Sequence, residues 1–357
     1  MTSPARNFRA GALSINHLRV FSPQIWFPLL RNARQGFGTM TTIPATVSAK
    51  PYVSSQSAWQ RLVTNRNWIA LWFMLPAAGF LILFLAYPLG LGVWMSFTDV
   101  RIGRAGQFIG IENYEWLWED GVFWLSVFNT LVYTIVASAI KFALGLYLAL
   151  LLNRSMPFKA LIRAAVLIPF IVPTVLSAIA FWWIYDSQFS IISWSLTKMG
   201  LIHQNINFLG DSTWARVSVI IANIWRGVPF VAITLLAGLQ TVSPSLYEAA
   251  TLDGATNWQR FRYITYPLLT PIIAVVMTFS VLFTFTDFQL IWALTRGGPV
   301  NATHLMATLS YQRGILSGRL GEGAAIATAM IPFLLAAITI SWFGMQRRKW
   351  QQGSDND

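Results

Sequence analysis

Polar residues with scattered apolar ones give way at Trp68 to a run that reaches Thr98 without a charged side chain, 31 residues in all. About 20 apolar residues suffice for a helix to cross the hydrocarbon of a bilayer, so this run predicts a membrane span. Five more apolar stretches follow, at 123–152, 164–185, 217–239, 264–294 and 323–345. The pattern predicts an all-α polytopic helix bundle of six transmembrane helices within 68–346, with both termini on one side. The connections between spans are short and leave no room for a soluble catalytic domain, so function has to lie in or beside the bundle.

Composition agrees with a bilayer protein: 55% of the 357 residues are hydrophobic and 11% charged, with a mean hydropathy of +0.54. A net charge of +12 would suit nucleic-acid binding if the basic residues clustered on one face. They follow the spans instead. Sixteen Lys and Arg fall in the segments on the side of the termini, against seven (Arg101, Arg104, Lys198, Arg216, Arg296, Arg313, Arg319) in the opposite loops. The positive-inside rule then predicts cytoplasmic termini, and the distribution argues against a nucleic-acid partner. Residues 1–67 read as a weakly structured cytoplasmic extension without a signal peptide, although the apolar patch at 25–30 could lie on the membrane surface and Met40 could be the true start. Residues 347–357 read as a cytoplasmic tail. Cysteine is absent, so disulfides and thiolate metal sites are excluded.

The loop at 243–266 differs from a plain connector. Ser243-Pro244 and Thr256 each suit the start of a short helix, and Ser245-x-x-Glu248 and Thr256-x-x-Gln259 both match the capping-box pattern. Gly254 stands where the first helix would end in a left-handed residue. The expectation is an L-shaped docking projection with Glu248 in the first turn of its first helix. The loops at 186–216 and 295–321 carry a candidate interfacial helix at 191–199 and the turn Gly297-Gly298-Pro299.

Glu248-Ala249-Ala250-Thr251-Leu252-Asp253-Gly254-Ala255 with Phe261, Ile264 and Pro267 resembles the EAA loop of binding-protein-dependent ABC importer permeases. Phe108-Ile109-Gly110 with Asn113-Tyr114, Leu167-Ile168-Pro169 with Pro173, and Leu294-Thr295-Arg296-Gly297-Gly298-Pro299 are similar to the maltose and glycerol-3-phosphate type of carbohydrate permease. The resemblance covers about 68–349. It implies a sugar importer whose partners are a second homologous permease, two ATP-binding cassette subunits that hold ATP and Mg, and an extracytoplasmic solute-binding protein. It also implies that Glu248, Ala249, Ala250, Asp253, Gly254 and Ala255 couple the chain to the ATPases. Carried over through each segment's own motif, the substrate positions fall on Phe170, Thr174, Asn223, Arg226, Gly227, Phe230, Ser280 and Thr284. Arg226 replaces an apolar residue of the maltose-type site, which points to an anionic sugar derivative or a strongly hydrogen-bonded polyol.

No Gly-Lys dipeptide occurs, which excludes a Walker A loop, and neither H-E-x-x-H nor G-x-S-x-G is present. The chain is therefore expected to bind no cofactor or metal and to catalyse no reaction itself. His17, His203 and His304 read as separate, solvated loop histidines. Three charges lie at span depth, where each costs about 2.5–3.5 kcal/mol on insertion scales: Lys141, Arg226 and Asp287. The structural reading is pairing within the bundle, for example of Arg226 with Asp287, and it is the reading for Lys141; the resemblance places Arg226 in the cavity. An ion-coupled carrier is the alternative, with Asp287 its sole candidate carboxylate, and a lipid-acting membrane enzyme lacks the clustered acids or nucleophile it would need.

Because the chain lacks cysteine, one introduced thiol reports sidedness cleanly. Asn257→Cys is expected to stay unlabelled when an impermeant maleimide is added outside intact spheroplasts, and labelling from outside would overturn the inside-terminus topology.

Overall fold

The computed structural model describes residues 66–353, so the expectations for 1–65 and for 354–357 lie outside the described residues. The chain divides into Met1–Trp72 and Phe73–Asp357. In the first unit the described stretch is helical; the packing below is that of the second.

The helices are α1 (Asn67–Met95), α2 (Glu112–Glu119), α3 (Gly121–Asn153), α4 (Lys159–Ile171), α5 (Thr174–Ile184), α6 (Ile191–Lys198), α7 (Ser212–Leu239) and α8 (Pro244–Leu252). There follow α9 (Asn257–Phe285), α10 (Gln289–Leu294), α11 (Met306–Tyr311), α12 (Leu320–Ala329) and α13 (Ile331–Gly353). Among the described residues there is no strand, only two isolated bridges near Thr98 and Arg101. Aspartates set two helix starts: the Asp120 carboxylate accepts from Val122 N at 2.9 Å, and that of Asp211 from the amides of Thr213 and Trp214.

Three spans differ from expectation. The third is the pair α4 and α5, bent by 89°, because Pro173 pushes Val172 into an extended conformation. The fifth stops at Phe285 and not at Leu294: Thr286 leaves the helical region, and Asp287 turns its carboxylate onto Leu290 N at 3.3 Å, at the start of α10. The sixth changes from α12 to α13 at Met330.

The loop at 243–266 also departs from the pattern in its sequence. With Pro244 in the first helical position, Ser243 becomes the N-cap of α8, so Ser245 and Glu248 form no capping box and Glu248 stands beyond the first turn. Thr256 and Gln259 do form theirs. The helix they open is not a separate short one. It continues through one π-helical turn, Phe261–Thr265, into the fifth span.

The second unit is organised around α3 and α7. α7 also packs on α4 and α9, and α9 on α3 and α13. Near the α8 end, Ala149, Leu152, Val231, Leu235, Leu239, Leu269 and Val276 form one apolar cluster. Gly145 permits this approach, since a Cβ there would lie 2.6 Å from Val231 Cγ1. At the opposite end, Asn113 Nδ2 donates to the carbonyls of Ser96 and Thr98 at 2.8 and 2.9 Å, tying α2 to the end of α1. Arg216 Nε donates to Asn129 Oδ1 (3.1 Å) and to Ala302 O (3.0 Å), while Asn129 Nδ2 donates to His304 O (3.2 Å). The Gly297-Gly298-Pro299 turn, with Gly297 at φ +88°, folds the following strand of chain back onto α3. A side chain at position 297 would enter the His304 ring.

His304 is accordingly not a solvated loop histidine: it is 1% exposed, with Nδ1 3.1 Å from Thr308 Oγ1. Burial lowers its pKa to about 4, and Arg313 acts in the same sense. The unfolded chain, with a histidine near 6.5, takes up a proton before the folded one does. Folded stability should therefore fall as pH drops from about 6.5 to about 4, by up to about 3 kcal/mol. Thermal unfolding of the purified protein against pH checks this, and His304→Gln should flatten that part of the profile.

Candidate functional site

Between the apolar cluster near α8 and the hydrogen-bonded opposite end lies a polar layer built by α3, α7 and the end of α9. Lys141 on α3 is 3% exposed. Its Nζ lies 2.9 Å from Asn223 Oδ1 on α7 and 2.5 Å from Thr284 Oγ1 on α9. The Thr284 hydroxyl donates to Ser280 O, and the Asn223 amide donates to Asp287 Oδ2 at 3.0 Å. Both partners therefore present acceptors to the lysine. Tyr133 OH completes the network with a 2.7 Å bond to Asp287 Oδ2. The helices are joined here by side chains that apolar packing alone would not bring together.

A cavity of about 180 Å³ opens on this layer, lined by Lys141, Phe170, Asn223, Arg226, Gly227, Phe230, Ser280, Phe283, Thr284 and Asp287. Seven of the eight substrate positions carried over by resemblance are brought together in it. Thr174 is not among them: it opens α5 beyond the bend. Sequence reasoning missed Phe283, although 280, 283, 284 and 287 fall on one face at helical spacing. It also left Lys141 outside the site: the resemblance placed Arg226 in the cavity, and Lys141, the other cation at span depth, was read as structurally paired.

The roles of two residues change. Gly227 reads in sequence as room for a ligand, but a Cβ there would collide with the Lys141 side chain, so its bareness gives the lysine passage. Asn223 bonds both Lys141 and Asp287 and is a structural tie as well as a cavity wall. The pairing of Arg226 with Asp287 is not made: the ion pairs among the described residues join Arg313 to Asp120 and Arg319 to Glu322. Aromatic rings form the rest of the wall, Phe170 stacked on Phe230 with centroids 5.5 Å apart and Phe283 edge-on to Phe230 at 6.4 Å.

Chemically, such a cavity offers flat apolar faces beside hydroxyl, amide and cationic groups, the combination that orients a polyhydroxylated solute. At the far end of α9 the loop residues Glu248, Ala249, Asp253 and Gly254 are exposed, and Ala250 and Ala255 half-buried. Gly254 has φ +76° with open space around it, as its position in the sequence predicts. Leu252 stands 90% exposed on the same projection.

The family model for the binding-protein-dependent transport system inner membrane component matches residues 141–352. The chain belongs to this family. It is a multi-pass permease subunit. Among its relatives is the trehalose/maltose transport system permease protein MalF of Thermococcus litoralis, 34% identical over 74% of this chain and 88% of that one. The sulfoquinovosyl glycerol transport system permease protein SmoG of Agrobacterium fabrum is 32% identical over 76% and 88%. Among solved structures, a bacterial ABC transporter involved in import of the acidic polysaccharide alginate superposes with a TM-score of 0.68 at 26% identity, over 81% of this chain and 98% of that one. A bacterial alginate ABC transporter in complex with an alginate pentasaccharide-bound periplasmic protein gives 0.67 at the same identity, over 82% and 97%.

Asn223→Ala would take one of two acceptors from the Lys141 ammonium and a donor from Asp287, so it should destabilise the permease by about 1–3 kcal/mol. Arg226→Ala breaks no such bond. Thermal unfolding of the purified variants should show a clear drop for the first and a small change for the second; equal midpoints would show that the network does not hold the helices.

Proposed function

We propose that this permease carries a sugar or sugar derivative across the bacterial inner membrane by ATP-driven alternating access. The supporting observation is the aromatic-walled polar cavity at span depth, joined by one unbroken helix, α9, to the exposed loop. The named solutes of its relatives, trehalose and maltose, a sulfoquinovosyl glycerol and alginate, belong to one broad chemical class, and the cavity suits it. Phe170, Phe230 and Phe283 would cover the C–H faces of a sugar ring, while Asn223, Ser280, Thr284 and Arg226 would meet its hydroxyls.

In this reading the chain pairs with a second homologous permease, rests on two ATP-binding cassette subunits that hold ATP and Mg, and receives its solute from a binding protein on the outer face. Both termini are cytoplasmic, and the loop between α7 and α9 faces the ATPases. Closure of the ATPases around ATP would shift α8 and, through Thr256 and the π-helical turn, the base of α9. α9 runs about 40 Å from Asn257 to Thr284, so a small tilt at the loop displaces Ser280 and Thr284 relative to α3 and α7. The cavity would change the side to which it opens. An ion-coupled carrier is less well supported, because both oxygens of Asp287 already accept hydrogen bonds from Tyr133, Asn223 and Leu290 N.

Right-side-out vesicles separate the two: uptake that requires ATP inside and the binding protein outside supports the importer, and uptake that collapses with the proton gradient alone overturns it. Gly254 provides the test of coupling. A side chain held at positive φ costs roughly 1–2 kcal/mol, and open space around the glycine means that the cost is in the backbone. Gly254→Val should leave the subunit in the membrane while lowering binding-protein-stimulated ATP hydrolysis and uptake together. Wild-type values of both in reconstituted complexes would remove the loop from the transmission path.

A further inference from the structure

The cavity holds more positive charge, and more hydrogen-bond donors, than its own groups satisfy. Arg226 brings five N–H donors. Its Nε is buried without a partner, and the guanidinium forms no ion pair among the described residues. Lys141 brings three donors and directs two of them at Asn223 and Thr284. Against these two cations stands one carboxylate, Asp287, both of whose oxygens already accept hydrogen bonds. With all three groups ionised, the cavity therefore carries a net charge of +1, inside a wall of three phenylalanines and at a depth where an unmatched charge is costly.

Resting on the sugar-importer reading, we infer that the transported saccharide carries a single negative charge, a carboxylate or a sulfonate, and that Arg226 and Lys141 receive it. One negative charge neutralises the cavity, whereas a phosphate monoester, at about −1.5 to −2, exceeds the surplus. A planar carboxylate also suits the guanidinium fork, which can donate two parallel bonds to it. Phe170, Phe230 and Phe283 would lie against the ring that bears the acid. Gly227 contributes indirectly, by leaving the Lys141 side chain its path to the cavity. A neutral saccharide would accept from the guanidinium through its hydroxyls but would leave the surplus charge unanswered.

The complete importer, with its ATPase subunits and binding protein, can be reconstituted in proteoliposomes and offered radiolabelled disaccharides in matched pairs. One member of each pair carries a uronic acid, and the other is the neutral sugar of the same linkage. The expected result is ATP-dependent uptake of a uronate-bearing member in preference to its neutral twin. Arg226→Gln should lower that uptake by about tenfold or more, with Arg226→Lys, which keeps the charge, losing less. The binding protein is the same in all three preparations, so a loss confined to the variant reports on the permease cavity. Preference for neutral members, or acidic uptake unchanged in Arg226→Gln, overturns the inference while the importer reading stands. Failure of every pair to show ATP-dependent uptake overturns both.

Discussion

An ammonium group carried to the depth of the bilayer has to find its hydrogen-bond partners in protein, and Lys141 finds them on two other helices. Asn223 on α7 and Thr284 on α9 supply the acceptors, and each is itself aligned by a further bond, to Asp287 and to Ser280 O. Apolar packing between helices in lipid is weakly directional, because lipid tails are as apolar as leucine. The polar layer therefore fixes the relative height and rotation of α3, α7 and α9. Gly227 and Gly145, which admit Lys141 and Val231 respectively, belong to the same constraint: helices bridged this closely need small residues at the crossing.

The three helices that the lysine ties together, with Phe170 of α4, line the cavity, so cavity wall and structural tie share side chains. This arrangement makes the cavity sensitive to the position of α9. Its base lies at the exposed loop, its last turns carry Ser280, Phe283 and Thr284, and it ends at Phe285, two residues before Asp287. A rigid rod that joins the loop to the cavity needs no relay of intermediate contacts to pass a displacement along.

Much of this was legible in the sequence. Charge-free length announced the spans, and Gly254 with Thr256 and Gln259 announced a bend followed by a capped helix. Two features were not. The capping box at Ser245 and Glu248 fits its pattern but loses to Pro244, which takes the first helical position and moves the N-cap to Ser243. The continuity of the Thr256 helix with the fifth span was hidden by Arg260 and Arg262, which end the apolar pattern and delay the predicted span to 264; the helix passes that point through its π-helical turn. The site was legible through motif spacing except where contacts cross between helices. Lys141 lies 82 residues from Asn223 and 143 from Thr284, and no local pattern joins positions so distant.

The two ends of the bundle and its middle differ in how completely their polar groups are answered. At the end away from the loop, Asn129, Arg216, Thr303 and the buried His304 all have partners, and such a fully satisfied network resists rearrangement. In the middle, Arg226 has donors without acceptors, and on the loop Leu252 stands in the open. A buried donor without an acceptor calls for an explanation, and in the reading proposed above the cargo supplies it. A hydrogen-bonded end, a cavity with an unpartnered guanidinium and an exposed loop stand in order along the bundle. Under the proposed coupling, force at the loop would reach the cavity through α9, because that one helix carries both its own capped start at Thr256 and the wall residues Ser280 and Thr284.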